Sequence, residues 1–404
     1  MKRISIIALL LTLFVACKEE PKDLDAQSTN PTDTDTTKVE TTEKSSYPYD
    51  RNYNDVAQFL AGNNGGDSSI VKVLEQTETF KNYQKNLDAL WKKTNAKLPV
   101  IKDWSQTEMD DINNGGGTLF YPFSGADFLH ADLFFPQYDN YVMMALEPAG
   151  TFPDLLKKEA NDTLATYMNQ LKRSMNAILG LSFFRTIAMA DDFKNELDGT
   201  LHVLMHFMAR TDHEVLWQEK VGIRPNGDLT TDIESLSDSS YVGNRYYFKR
   251  NGEEKVKTLS YFAVNVQNSP YVSRGGLVAK GLETRTDLVN YFKKIDIKAT
   301  YLKSASYLMH RPTFSIIRNT ILNESEYLLQ DDSGIPVQFF MDGRWDLTFY
   351  GTYSFPISLF AERHQADLKE IYQNKTETVK PLPFGIGYQY HKGTSNLMIA
   401  RKKQ

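Results

Sequence analysis

The sequence predicts an α/β fold: an open, doubly wound, mostly parallel sheet with crossover helices and a C-terminal antiparallel hairpin, preceded by a helical N-terminal segment. Three observations carry this. Strand-like, helix-like and strand-like stretches follow one another twice, at 118–150 and again at 299–338, which is the pattern of parallel strands joined by crossovers. The glycine cluster "NNGGG" at 113–117 breaks the chain sharply from a helical region upstream. The final stretch, "FGIGYQYHKGTSNLMIARKK", reads as a hairpin turning at 392–395.

Residues 48–117 form the helical segment. In "SSIVKVLEQTETFKNYQKNLDALWKKTNAK", Ile70, Val73, Leu74, Phe80, Leu87 and Leu90 recur at roughly helical spacing, and Ser68 or Ser69 can cap the start. The α/β domain then spans 118–404. "TLFYPFSG" (118–125) is a strand, "ADFLHADLFF" (126–135) a short helix, and "NYVMMALEPAG" (140–150) a buried strand. A long helical region follows over 152–195. "LHVLMHFMA" (201–209) is a third strand candidate, and 246–266 is a hairpin turning at Asn251 and Gly252. "ATYLKSASYLMH" (299–310), "FSIIRNTIL" (314–322) and "SEYLLQDDSGIPVQ" (325–338) repeat the strand, helix, strand order.

The chain of 404 residues carries 46 basic and 51 acidic residues, a net charge of −5. Residues 18–47 hold four lysines and eight acids. They are rich in Thr, Ser, Asp and Glu and lack the apolar side chains that would offset ordering entropy. The segment 17–47 therefore reads as a disordered acidic tether, spanning roughly 30 Å as a random coil. The remainder, 48–404, carries −3, which leaves no electrostatic footprint for nucleic acid.

Ahead of the tether, Lys2 and Arg3 precede an apolar run over residues 4–16 that Lys18, Glu19 and Glu20 stop. A membrane-spanning helix needs about 20 apolar residues, so 1–16 reads as a secretory signal. Cys17, the single cysteine, follows it directly. Phe14-Val15-Ala16-Cys17 resembles the lipobox of bacterial lipoproteins, which implies that the peptidase cuts before Cys17 and that Cys17 carries lipid. Several acyl chains suffice for stable anchoring where one does not. Lys18, Glu19 and Glu20 resemble the export signal of surface lipoproteins in Bacteroidota. The implied location is the outer membrane, lipid-anchored, at the cell surface.

In an open α/β sheet, ligands bind beyond the carboxyl ends of the strands. Ser124, Gly125 and Asp127 follow the first strand and Glu147 the second. A strand through 299–310 puts Ser304, Ser306 and His310 on one face. Asp331 and Asp332 end the strand before "SGIP". These nine residues are the candidate ligand pocket. Carboxylates and a histidine converging there could hold a ligand or share acid and base roles, although Ser, Asp and Gly in these places are also ordinary turn and cap residues. Ser124 is not a G-x-S-x-G nucleophile, since Pro122 and Ala126 occupy the glycine places. No catalytic residue is assigned. His202 and His206 stand four apart with His213 beyond, but H-E-x-x-H is missing and their flanks are apolar. No metal is assigned and no cofactor is implied: "FGIG" (384–387) leads into no helix, and no Walker motif occurs.

Over 118–404 the order of elements resembles the class I methyltransferase fold. That fold also ends in an antiparallel hairpin and places an acidic residue at the end of its second strand, where Glu147 stands. Its glycine-rich first loop is not matched, because the strand here ends Phe-Ser-Gly-Ala-Asp at 123–127. "YPFSGADF" and "LKSASYLMH…LQDDSGIP" also resemble a family of bacterial envelope proteins with no characterised activity. The sequence thus leads to a surface-exposed lipoprotein that binds a ligand or partner without catalysis: a small molecule, a glycan or a surface protein. The alternative is an extracytoplasmic hydrolase or transferase with a carboxylate and histidine site at the sheet's C-terminal edge.

Overall fold

Helices form the chain up to the glycine cluster. They are α1 (Arg51–Leu60), α2 (Ser69–Glu75), α3 (Glu78–Asn95), α4 (Leu98–Glu108) and α5 (Asp110–Asn113). Local chemistry sets their starts: Asp50, Ser68 and Thr77 accept backbone N–H bonds as N-caps, and Pro99 opens α4. The computed structural model describes residues 47–160, 162–181, 198–238, 240–268, 271–272, 278–279, 286–374 and 379–403. The expected signal over 1–16, Cys17, the residues Lys18, Glu19 and Glu20 expected to direct export, and nearly all of the expected tether lie outside the described residues, as does 182–195 of the expected long helical region.

The strands are β1 (Thr118–Pro122), β2 (Asn140–Ala145), β3 (His213–Ile223), β4 (Leu229–Thr230), β5 (Val242–Arg250), β6 (Lys257–Ala263), β7 (Tyr271–Val272), β8 (Val278–Ala279), β9 (Ile297–Leu302), β10 (Tyr327–Gln330), β11 (Trp345–Gly351), β12 (Val379–Lys380) and β13 (Asn396–Lys402). Among the described residues, β7 and β8 pair apart, and the other eleven form one sheet in the order β12-β11-β13-β10-β9-β1-β2-β6-β5-β3-β4. The run β6-β2-β1-β9-β10 is parallel throughout. In chain order it reads 3-2-1-4-5, as in the doubly wound folds. The strand order therefore reverses between β1 and β9, which makes that gap the topological switch point.

Helices cover both faces, and the alternation of side chains sorts the two cores. Leu119, Tyr121, Tyr141, Met143, Ala299 and Tyr301 face one way, against α1 to α4, α6 (Phe128–Phe134), α8 (Leu164–Leu181) and α9 (Leu201–Arg210), with α7 (Leu155–Ala160) alongside. Phe120, Val142, Met144, Ile297 and Leu302 face the other, against α10 (Thr286–Lys294), α11 (Ser315–Glu324) and α12 (Ala366–Asn374). The backbone of β3 is covered where it would be an open edge: Asp50 N–H donates to the Leu216 carbonyl, Asn54 accepts from Val215 N–H, and Tyr53 donates to the Gln218 carbonyl. Such cover blocks edge-to-edge association.

Three local expectations change. Residues 201–209 are not a strand but the helix α9, in which Leu201 through Ala209 are all buried. A helix apolar on every side shows no period that would tell it from a buried strand. The strand of 299–310 stops at Leu302; Ser304, Ser306 and Tyr307 then take left-handed backbone, so Ser304, Ser306 and His310 share no strand face. The antiparallel C-terminal pairing is present, but 384–402 does not fold on itself beyond the bridge Ile386–Gln389. Instead β13 slots antiparallel between β10 and β11. Leu397 to Ala400 are all buried and need strand partners on both sides.

Candidate functional site: a pocket at the switch point

The loops after β1 and β9 meet at the switch point, and a cavity of about 690 Å³ opens there. That lies within the range of small-molecule sites. Its walls are apolar, drawn from Leu98, Ile101, Leu129, Ile178, Phe207 and Phe384 among others. Its floor is charged: Asp127, His130 and Lys303 line it together. Asp127 and Lys303 are each 4 % exposed.

Each of the three is placed by a local rule. Asp127 is the N-cap of α6; its Oδ1 accepts from His130 N–H at 3.3 Å and lies 2.8 Å from His130 Nδ1. An i to i+3 spacing brings the two side chains over the first turn. Lys303 is the first residue past β9. Its Nζ donates to Asp127 Oδ2 at 2.5 Å and lies 3.0 Å from His130 Nδ1. Tyr121 adds a hydroxyl donor to Asp127 Oδ2 at 2.8 Å. Burial alone would raise the Asp127 carboxyl, but the His130 and Lys303 charges and their hydrogen bonds outweigh it and hold the group well below the usual carboxylate range. Burial lowers His130, and the Lys303 charge adds to that, with Asp127 opposing.

The backbone around this floor is strained. Phe123 (φ 61°) follows β1, and Ser304, Ser306 and Tyr307 (φ 52° each) follow β9. Non-glycine residues in this region cost about 1–3 kcal/mol each and persist when their surroundings over-determine them. Asp331 and Asp332 supply that restraint. Asp331 accepts from Ser304 N–H at 2.8 Å and from Ser333 N–H at 3.0 Å. Ser333 Oγ accepts from Ala305 N–H at 2.7 Å. Asp332 accepts from the Tyr307 hydroxyl and from Asn396 at 3.0 Å. Tyr388 donates to the Ser304 carbonyl and meets Ser306 Oγ, both at 2.9 Å. The acidic pair thus clamps the loop that delivers Lys303. Burial and the Asp332 charge raise the Asp331 carboxyl, and burial raises Asp332 as well.

Of the nine candidate residues, Asp127 lines the large cavity. Ser304, Ser306, Asp331 and Asp332 form the clamp behind it. Ser124 donates to the Gly125 carbonyl at 2.9 Å, and Gly125 (φ 54°) makes the turn into α6. Glu147 is buried after β2, where its carbonyl accepts from the Tyr261 hydroxyl at 2.9 Å. His310 ends a single 3-10 turn beside the Tyr307 ring, and burial lowers it to about 4. The histidines 202, 206 and 213 go to separate partners: the Tyr167 hydroxyl, the Leu60 carbonyl and Asp132. Among the described residues no group of three or more His, Cys, Asp and Glu is placed to hold a metal ion.

His130 and Lys303 escaped the sequence reading. A usable signal existed for the first: an Asp and a His three apart at the start of a short apolar helix, "DFLH". For Lys303 the signal was a cation directly after the apolar end of a strand, "TYLK".

The Tyr301 hydroxyl lies fully buried without a hydrogen-bond partner among the described residues, while its ring contacts Tyr121, Phe134 and Phe135. An unsatisfied buried polar group costs about 1–3 kcal/mol. Tyr301→Phe is therefore expected to raise stability by about 1 kcal/mol in urea unfolding; a loss of stability would show that the hydroxyl is satisfied. No protein-family model, no curated protein and no solved structure matches the chain.

Proposed function

We propose that this protein is a lipid-anchored lipoprotein of the outer membrane, displayed at the cell surface, whose switch-point pocket binds a small molecule with an apolar body and does not transform it. The pocket carries the reading: an apolar-walled cavity of about 690 Å³ at the place where doubly wound folds take their ligands. Anchoring rests on Cys17 and its flanking residues. Among the described residues no helix is long and apolar enough to cross a membrane.

Binding is favoured over catalysis because the floor is already saturated. Asp127 takes the Lys303 ammonium, the Tyr121 hydroxyl, the His130 ring and the His130 N–H. A carboxylate held this far toward its ionised form is a weak general base. Ser124 spends its hydroxyl on the Gly125 carbonyl and lies outside the cavity lining, so it does not join Asp127 and His130 as a nucleophile.

The test uses residues 18–404, which keep the whole compact unit Tyr47–Gln404, with the neutral fluorophore N-phenyl-1-naphthylamine. Saturable binding is expected for the native chain, with loss in Leu179→Trp, which fills the cavity. Absence of binding, or equal binding by the filled variant, would sink the pocket reading. Labelling with a radioactive fatty acid in a bacterial host checks the anchor separately: label should enter the native chain and be absent from Cys17→Ser.

A further inference from the structure

We infer that the ligand of this pocket is an anionic amphiphile, with its carboxylate or phosphate at the mouth and its apolar body inside. The inference rests on the pocket reading above and adds the charge of the ligand. Three exposed lysines line the cavity, and they come from separate places in the chain: Lys93 in the last turn of α3, Lys97 at the junction of α3 and α4, and Lys392 in the turn before β13. Among the described residues none of the three forms an ion pair with a carboxylate, a state they share with the exposed Lys85, Lys92 and Lys220; what sets them apart is that they line one cavity. The acidic residue among those lining the cavity is Asp127, and it is bound to Lys303 on the floor.

Helix ends do not account for this placement. Lys93 does offset the negative end of α3. Lys97 directly follows Ala96, the C-cap of α3, and is the N-cap residue of α4, so the two helix dipoles act on it in opposite senses. Lys392 lies in a turn and serves no helix end. Three positive charges around an opening with low-dielectric walls concentrate the field at the mouth. Beside them the apolar Val100 is 41 % exposed, an arrangement suited to a molecule with a charged head and an apolar body.

The experiment displaces N-phenyl-1-naphthylamine from residues 18–404. The competitors are dodecanoate, dodecyl phosphate, dodecanol and dodecyltrimethylammonium, each below its micelle concentration, and inorganic phosphate alone. The two anionic amphiphiles should compete about tenfold better than the alcohol, as expected for several exposed charge contacts together, and the advantage should shrink as salt is raised. The cation should compete least, and inorganic phosphate should not displace the probe. The ranking of carboxylate against phosphate identifies the head group. In Lys93→Glu/Lys97→Glu/Lys392→Glu the order should invert, each competitor being referred to the variant's own affinity for naphthylamine; these positions are exposed, so the fold does not depend on them. Equal displacement by the anion, alcohol and cation overturns the inference and leaves the pocket reading standing. Displacement by inorganic phosphate alone overturns the need for an apolar body. Failure of naphthylamine to bind the native chain overturns the pocket reading itself.

Discussion

Replacing Lys303 with methionine is expected to cost about 3–5 kcal/mol of folding stability, the usual result of stranding one partner of a buried ion pair. Its ammonium donates to Asp127 at 2.5 Å, and both groups are almost wholly out of water. Methionine fills similar space, so the loss reports the stranded carboxylate rather than a cavity. The double variant Lys303→Met/Asp127→Asn should recover most of it. Asparagine Oδ1 still accepts from His130 N–H, so the α6 cap survives, while Nδ2 in the Oδ2 place donates to the Tyr121 hydroxyl, and no charge is left buried. Urea unfolding of the two single variants and the double gives the coupling directly. If Lys303→Met alone lost less than about 1 kcal/mol, the pair would be solvated and the floor of the pocket open to water.

Acid should destabilise the protein between pH 6.5 and 4, with His206 contributing about 3 kcal/mol of the loss at pH 4. Its Nδ1 donates to the Leu60 carbonyl at 3.1 Å. Burial holds the ring down at about 3, with the Arg210 charge adding to it and the hydrogen bond opposing. A histidine depressed in the folded state binds its proton more readily when unfolded. Its contribution is therefore complete above pH 6.5 and is lost as pH falls toward the folded value. His206→Asn keeps a donor near the Leu60 carbonyl and cannot titrate. Asp331 acts in the opposite sense: burial and the Asp332 charge raise it, so it favours folding at low pH and loses that contribution as pH rises. Asp331 is common to both chains, so subtracting the His206→Asn profile from the native one isolates His206. Parallel stability profiles across pH 4–8 would mean that His206 is not buried neutral.

The element order was legible because local chemistry wrote it. The glycine cluster at 113–117, the cap at Ser68 and the turn at Asn251 and Gly252 are properties of short stretches, and each stands where the sequence places it. The alternation in "TLFYP" sends Leu119 and Tyr121 to one core and Phe120 to the other. α9 was illegible for the converse reason: burial on every side erases the period that identifies a helix. The end of β9 was illegible because nothing in "LKSASYL" announces left-handed serines. That conformation is enforced by Asp331, Ser333 and Tyr388, all far along the chain.

The sequence by itself determined the class of the fold and the carboxylate-bearing loop after the first strand, because caps, turns and alternation are read from neighbours in the chain. The tertiary structure alone decided which of those residues share a site. It set Asp127 against Lys303, 176 positions later, made the Asp331 and Asp332 pair a clamp, and gathered Lys93, Lys97 and Lys392 around one opening. Such meetings depend on strand order and on the position of the switch point. Those follow from how two faces of a sheet are covered, and no short stretch of sequence encodes them.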